Sequence, residues 1–374
     1  METTPEGFRL HIGIFGRRNA GKSSVLNALT HQDTSIVSEF AGTTTDPVEK
    51  PMELLPLGPV LFIDTAGVDD TGPLGSLRTG RTRQVFDRTD IGVIVCGTGG
   101  WGGFERNLLE ELRCRGVPVI VVFNKADLGM THAGASAELR ATGIVMVSTS
   151  AVTGEGMLDL RQALLDAAPE EFINNPAILS DLLGPGGLAV LVAPIDKEAQ
   201  RGRLILPQVQ TIRDLLDGNC FSVVVPDKGL KDALAALAQP PGIVVTDSQV
   251  FADVARDTPP GIPLTSFSIL YSRFKGDLKE QARGAQAIAM LRQGDRILIA
   301  ESCTHHPIED DIGTVKIPRW LQQYAGGKLE FDHVRGHDFP GDPSAYSLAI
   351  LCGSCMTNRR EVLNRIMKCR RAGV

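Results

Sequence analysis

The chain has 374 residues, 43% hydrophobic and 22% charged, so it is globular rather than disordered. At about 150 residues per domain it has room for two or three domains. A formal net charge of −6 and an aromatic content of 5% give no case for binding nucleic acid or an anionic membrane.

No run approaches the roughly 18 apolar residues that a bilayer crossing needs. The N-terminal METTPEGFRLHIGIF is acidic early and its apolar run is short, so it does not read as a signal peptide, and a cytoplasmic protein is expected. Basic stretches at 78–83 and 368–371 read as solvated helix faces. Seven cysteines, an odd number over a long chain, do not form a disulfide framework. In a reducing compartment, clustered thiols suggest metal or redox chemistry.

From residue 9 to 168, runs rich in Val and Ile alternate with stretches of helical period. The runs LHIGIF (10–15), VLFID (60–64), IGVIVC (91–96), VPVIVVF (117–123) and GIVMVS (143–148) read as strands, and 21–30, 103–115 and 156–168 as helices. Continuous apolar strands separated by helices predict a parallel sheet covered on both faces. The first domain is therefore α/β and is assigned to residues 1–170.

The first strand runs into Gly16-Arg17-Arg18-Asn19-Ala20-Gly21-Lys22-Ser23, which fits the P-loop pattern GxxxxGK[ST] between a strand and a helix. The glycines let the backbone curl so that its amides face phosphate. Lys22 neutralises the β/γ oxygens and Ser23 offers its hydroxyl to Mg²⁺. The candidate phosphate-binding residues are Gly16, Asn19, Ala20, Gly21, Lys22, Ser23 and Ser24. Asp64-Thr65-Ala66-Gly67 ends the next strand, with Asp64 expected to hold Mg²⁺ through water and the Gly67 amide to sense the γ-phosphate. Asn124-Lys125-Ala126-Asp127 ends a later one. The Asp127 carboxylate can accept both guanine N1–H and N2–H, which selects GTP over ATP. Ser150-Ala151 is expected to bring a backbone amide to guanine O6. Four such elements in this order predict an enzyme that hydrolyses GTP to GDP and phosphate.

Ala41-Gly42-Thr43-Thr44-Thr45-Asp46 resembles the switch I loop of the GTPase group that contains the bacterial Era and MnmE families, whose loop reads GTTRD. The resemblance implies that Thr44 completes the Mg²⁺ shell in the GTP state. Thr45 stands where those families have arginine, so no role of that arginine carries over. Gly67 is followed by Val68, where many GTPases place the glutamine that orients the attacking water, and valine cannot do this. Asn19 matches the asparagine that helps hold K⁺ beside the phosphates in potassium-activated relatives. A cation there would stabilise charge as the β–γ bond breaks. The expected catalytic group is Lys22, Thr44, Asp64, Gly67 and Asn19; the alternative for Asn19 is that it only shapes the loop.

Residues 167–187 hold Pro169, Pro176, Pro185 and three glycines, and read as a linker. A second alternation follows, with strands at 188–194, 220–226 and 242–247 and helices near 207–217 and 229–238, until Pro259, Pro260, Gly261 and Pro263 mark another boundary. This second α/β domain is assigned to 180–262. The third, 265–374, has a long helix near 273–292, strands at 296–302 and 346–352, and a basic helix at 357–371.

Cys303 follows the strand at 296–302, and Cys352-Gly353-Ser354-Cys355 follows the one at 346–352. If those strands are parallel neighbours, the three thiols gather at their carboxyl ends, where α/β folds place ligand sites. The helix after Cys355 would aim its positive end at them, which suits an anionic metal–thiolate group. His305, His306 and Glu309 stand nearby as candidates for a fourth ligand. Three readings stay open on spacing alone: a [4Fe–4S] cluster with one weakly held iron, a Cys₃His zinc site, and a dithiol redox pair. Cys96, Cys114, Cys220 and Cys369 lie in strand or helix patterns and read as buried or incidental.

A potassium-type GTPase, a middle α/β domain, and Cys303-Thr304-His305-His306 followed by Cys352-Gly353-Ser354-Cys355-Met356 together resemble the HydF family of [FeFe]-hydrogenase maturation GTPases. The resemblance covers essentially the whole chain, and the CxH…CxxC combination makes it specific. It implies that the middle domain forms a homodimer. It implies that the last domain binds a [4Fe–4S] cluster through Cys303, Cys352 and Cys355, with His305 as the motif histidine. That domain would serve as scaffold or carrier for a transient two-iron precursor passed to apo-[FeFe]-hydrogenase, with the radical-SAM maturases HydE and HydG as partners. Many members have histidine directly before the CxxC; here it is Leu351, so no ligand comes from that position. Members usually continue past the last helix, whereas this sequence stops at Val374, which suggests truncation. One rival, an RNA- or ribosome-associated GTPase of the Era/MnmE sort, wants a basic module after residue 170, and the acidic sequence has none. The other, a zinc-stabilised regulatory GTPase acting by protein binding, is separated by metal analysis.

Overall fold

The Val/Ile-rich runs of the N-terminal half pair side by side. In a computed structural model of the chain, β1 (Leu10–Phe15), β2 (Val48–Leu54), β3 (Gly58–Asp64), β4 (Ile91–Cys96), β5 (Val119–Phe123) and β6 (Val145–Ser148) form a sheet of order β2-β3-β1-β4-β5-β6. Every pairing is parallel except β2 with β3. The structure describes residues 4–30, 47–55, 57–65, 83–129, 133–173, 176–195, 204–302, 312–352 and 354–374. Contacts divide the chain into two units, Met1–Asn175 and Pro176–Val374.

The period of two along β1 sorts its side chains to opposite faces. Leu10, Ile12 and Ile14 pack with Val25, Leu26 and Leu29 of the helix Lys22–Thr30 and with Leu160 and Leu164 of the helix Met157–Asp166. Phe15 joins Ile63, Ile94, Val121 and Phe123 against Leu108, Leu109 and Leu112 of the helix Gly103–Cys114. With both faces covered, the strands read as unbroken apolar runs. Edge strand β2, VEKPMEL, is absent from the sequence reading because its exposed charges and Pro51 are tolerated only at an edge.

The second unit holds two parallel sheets. β7 (Leu188–Val192), β8 (Phe221–Val225), β9 (Ile243–Thr246) and β10 (Leu264–Ser266) have the order β10-β9-β7-β8; β11 (Arg296–Glu301), β12 (Glu330–Arg335) and β13 (Leu348–Cys352) have the order β12-β11-β13. The α/β class expected for every part of the chain is what the structure has.

The division between the two units falls inside the segment read as a linker, which also carries the short helices Glu170–Ile173 and Ser180–Leu183. Its second part is pinned by Asp214, whose carboxylate accepts the N–H groups of Ile178 (3.0 Å), Leu179 (2.8 Å) and Ser180 (2.8 Å). The long helix expected near 273–292 is broken at Gly276 into Phe267–Lys275 and Leu278–Gln286, because Asp277 caps the second helix by accepting the Glu280 N–H at 3.1 Å. Strand β12, EFDHVR, was missed because a charged edge strand shows little apolar alternation.

Candidate functional site

β1 lies where the strand order reverses, with β3 on one side and β4 on the other, so the loop at its carboxyl end opens into the crevice where α/β sheets bind ligands. Gly16 has φ +146°, and a Cβ there would lie 2.3 Å from the Val95 carbonyl oxygen. Gly21 has φ +91°, and its Cβ would lie 2.3 Å from Asn124 Nδ2. No other residue fits either position. Asn19 is exposed at φ +60°, a conformation asparagine tolerates, so loop shape alone already accounts for its side chain type. Ala20 is buried and Ser24 exposed. Lys22 is buried and donates through Nζ to the carbonyls of Gly16 and Arg17, both at 3.0 Å. Its ammonium therefore lies within the curl of the loop.

Arg17 is held by Glu105 in a two-pronged ion pair, Nε–Oε1 2.7 Å and Nη2–Oε2 3.1 Å. Glu105 also accepts the Gly102 N–H at 2.9 Å, so one buried carboxylate ties the P-loop to the start of the helix Gly103–Cys114. Sequence reasoning missed Glu105; its place in the first turn of a helix was the available signal.

Ser23 Oγ donates to Asp64 Oδ2 at 2.5 Å, while Asp64 Oδ1 is buried with no hydrogen-bond partner among the described residues. Burial raises the Asp64 carboxyl above its ordinary range, against the Ser23 hydrogen bond and the charges of Lys22 and Lys50. An orphaned carboxylate oxygen beside a hydroxyl is a hard-oxygen donor set that suits Mg²⁺.

At the base end, Asn124 is buried and its Nδ2 donates to the Ala20 carbonyl at 3.2 Å. Its Oδ1 accepts the Ala151 N–H at 3.2 Å and the Thr149 hydroxyl at 3.4 Å. Ser150 Oγ donates to Asp127 Oδ1 at 2.6 Å, which steadies an otherwise exposed carboxylate. Lys125 takes a left-handed backbone, φ +66°. The structure thus brings together Gly16, Lys22, Ser23 and Asp64 at one end and Asn124, Asp127, Ser150 and Ala151 at the other. In this arrangement the Ala151 amide expected to meet guanine O6 donates to Asn124. Thr44, Gly67 and Val68 lie outside the described residues.

In the second unit β11 and β13 are parallel neighbours, with Glu301 paired to Cys352. Cys303, His305, His306 and Glu309 lie outside the described residues, and nothing is described of the Cys352 side chain. Cys355 is half-buried, and Ser354 just before it has φ +47°. Beneath this turn Lys275 Nζ donates to the carbonyls of Ser354 (3.0 Å), Cys355 (3.2 Å) and Thr357 (2.9 Å). Burial pushes its ammonium down to about 8, against the pull of Cys355 and Glu361. Asn358 caps the final helix, Arg359–Ala372, by accepting the Glu361 N–H at 3.1 Å. Glu361 in turn pairs with Arg365 and with His337 Nδ1 (2.9 Å). No sequence pattern announces these residues, since a lysine ending an amphipathic helix is ordinarily solvated. Of the remaining cysteines, Cys96, Cys220 and Cys369 are buried and Cys114 exposed.

Sequence profiles of known families match in three places. Residues 11–125 match a profile described as 50S ribosome-binding GTPase, 178–276 the hydrogen maturase F dimerization domain, and 279–374 the hydrogen maturase F tetramerization domain. The chain belongs to the HydF family. Its N-terminal part is a P-loop GTPase domain. Among curated relatives, the tRNA modification GTPase MnmE of Methylobacterium radiotolerans is 36% identical over 201 residues, which is 52% of this chain and 41% of that protein. GTPase Der of Solidesulfovibrio magneticus is 31% identical over 236 residues, 58% of this chain and 50% of that protein. The HydF-family chain thus spans half or less of the length of these relatives. The crystal structure of Aquifex aeolicus Era bound to GDP·AlF₄⁻ aligns at 21% identity with a TM-score of 0.39, covering 58% of this chain and 94% of that one. No helix among the described residues is long and apolar enough to cross a membrane.

Proposed function

We propose that this chain hydrolyses GTP and serves as the scaffold on which a two-iron precursor is held before delivery to apo-[FeFe]-hydrogenase. In this reading residues 1–170 bind and hydrolyse GTP, 180–262 form a homodimer, and 265–374 hold a [4Fe–4S] cluster. Cys303, Cys352 and Cys355 hold the cluster, with His305 at the fourth position. The matched hydrogen maturase F profiles support the maturation role and an oligomer. HydE and HydG are the partners that role implies, and the cytoplasm is where such partners meet.

The observation that carries the cluster reading is the register Glu301↔Cys352 between parallel strands. It sets the end of the strand leading to Cys303 beside the start of the CxxC turn. Three thiolates can fix three corners of a cubane and leave one iron with a replaceable ligand, which a scaffold needs and four thiolates would deny. On the nucleotide side, Lys22 and Ser23 bind phosphate and Mg²⁺ with Asp64. Asp127 reads guanine, Asn19 helps hold K⁺, and Thr44 and Gly67 respond to the γ-phosphate. GTP turnover would then drive a conformational or partner-release step, as in switch GTPases.

Anaerobic reconstitution with iron and sulfide tests the proposal. The parent chain should show a [4Fe–4S] electron paramagnetic resonance signal after reduction. Serine at Cys303, Cys352 or Cys355 should abolish it, and His305→Ala should keep it in altered form. GTP hydrolysis should survive all four changes. Stoichiometric zinc with no iron, or a native signal in all three serine variants, would overturn the cluster assignment and leave the GTPase assignment standing.

A further inference from the structure

Lys275 ends the helix Phe267–Lys275 and is only 2% exposed. Lysines at such positions ordinarily run their stems along the surface and keep the ammonium in water. Here the ammonium is buried, at a cost in desolvation that a methionine of similar length would avoid. Its acceptors are the carbonyls of Ser354, Cys355 and Thr357, at 3.0, 3.2 and 2.9 Å. An ammonium has three N–H donors and no acceptor, so three carbonyls use its whole capacity. A neutral amine would leave one carbonyl facing a lone pair. The three carbonyls fall within four consecutive residues that include the second cysteine of the CxxC turn. One side chain from a distant helix therefore sets the path of that turn.

The second consequence is electrostatic. Glu361, a carboxylate whose charge reaches Lys275, is shared with Arg365 and His337. The Lys275 ammonium adds a buried positive charge beneath Cys355. Because peptide groups are trans, carbonyls turned toward Lys275 leave the N–H groups of the following residues pointing away from it. The Met356 N–H does so, donating to the Ser302 carbonyl at 3.2 Å at the end of β11. The same lysine thus holds the CxxC turn against the strand that leads to Cys303.

We infer that Lys275 is a positioning residue for the second cysteine of the CxxC: it fixes the backbone of Ser354, Cys355 and Thr357 through three carbonyls and sets a buried positive charge beside Cys355. The inference rests on the cluster reading above. A buried cation favours the reduced, more negative state of an iron–sulfur group, so it raises the reduction potential.

The test uses the full chain and its Lys275→Met, Lys275→Gln and Lys275→Arg variants, each reconstituted anaerobically with iron and sulfide. Iron per chain, midpoint potential and the rate of iron loss to a chelator are measured, with circular dichroism and GTP hydrolysis as controls of folding. The Met and Gln variants should show a more negative potential and release iron several-fold faster, while Lys275→Arg stays near the parent potential. A folded Met or Gln variant with the parent's potential and release rate overturns the inference. Should both neutral variants fail to fold, Lys275→Arg decides. Its guanidinium keeps the charge but cannot offer three donors from one atom, so faster release at the parent potential is expected, and an unchanged release rate overturns the inference. A parent chain that takes up no iron removes the cluster reading first, and the inference falls with it.

Discussion

Asn124 donates through Nδ2 to the carbonyl of Ala20 at 3.2 Å, so the segment proposed to read the base is tied directly to the P-loop. Both groups are buried. Asn124→Ala would leave the Ala20 carbonyl and the Ala151 N–H without this partner, a loss of about 1–3 kcal/mol for each group left unsatisfied. Affinity for GDP and GTP should fall together by about tenfold or more. Titration with a fluorescent guanine nucleotide checks this; a loss confined to GTP would contradict the shared-strut role.

Asp127 has one oxygen steadied by Ser150 Oγ at 2.6 Å and stands exposed where a base could meet it. Asp127→Asn should weaken GTP binding and favour xanthine nucleotides, which carry a carbonyl at position 2 in place of the amine. Competition among GTP, XTP and ATP reads the outcome. Equal affinity of the unmodified chain for ATP and GTP would refute the assignment.

Hydrolysis is expected to run faster in K⁺ than in Na⁺ at equal ionic strength. The exposed, left-handed Asn19 is placed in the loop where a monovalent cation would act, and Val68 offers no water-orienting group. Rates that do not distinguish the two salts remove the cation. An Asn19→Ala variant that keeps the K⁺ effect removes only that residue and leaves it the loop-shaping role its backbone already supports.

Burial raises the Asp64 carboxyl above 3.8. A carboxyl with a raised folded value holds its proton more tightly folded than unfolded. Its contribution to stability therefore declines as pH rises from 3.8 through the raised value, so the carboxyl favours the Mg²⁺-free fold less at neutral pH than at acid pH. Asp64→Asn should leave the melting temperature at pH 7.5, without Mg²⁺, at or above that of the parent. GTP hydrolysis should drop by about a hundredfold or more, because the metal loses its carboxylate. A fall of several degrees would show that Asp64 is structural instead.

The Cys96 thiol is pushed up to about 12 by burial and by Glu105, against Arg17. At pH 8 only about one thiol in ten thousand is then thiolate. Iodoacetamide should leave Cys96 unlabelled in the folded protein while exposed Cys114 reacts, as peptide mass spectrometry would read. Labelling of Cys96 as fast as Cys114 would show that the region between β4 and the helix Gly103–Cys114 opens readily.

What the sequence determined by itself is local. The P-loop needs glycine at 16 and 21 because a side chain at either would strike Val95 or Asn124, and that demand is visible as a spacing. The central strands are visible because burial on both faces leaves apolar runs such as IGVIVC. The α/β class and the P-loop GTPase domain follow from these. What only the tertiary structure decided depends on partners distant in sequence. Edge strands β2 and β12 take their conformation from a neighbouring strand rather than from their own charged residues. Residues 178–180 are ordered by Asp214, some 35 positions away. Lys275 looks like any solvated lysine until the fold brings the carbonyls of Ser354, Cys355 and Thr357 to its ammonium. Composition and period record whether a side chain is buried by its own element. They carry no record of which remote backbone group will satisfy a polar atom, because that choice is made by the packing of elements that share no local sequence.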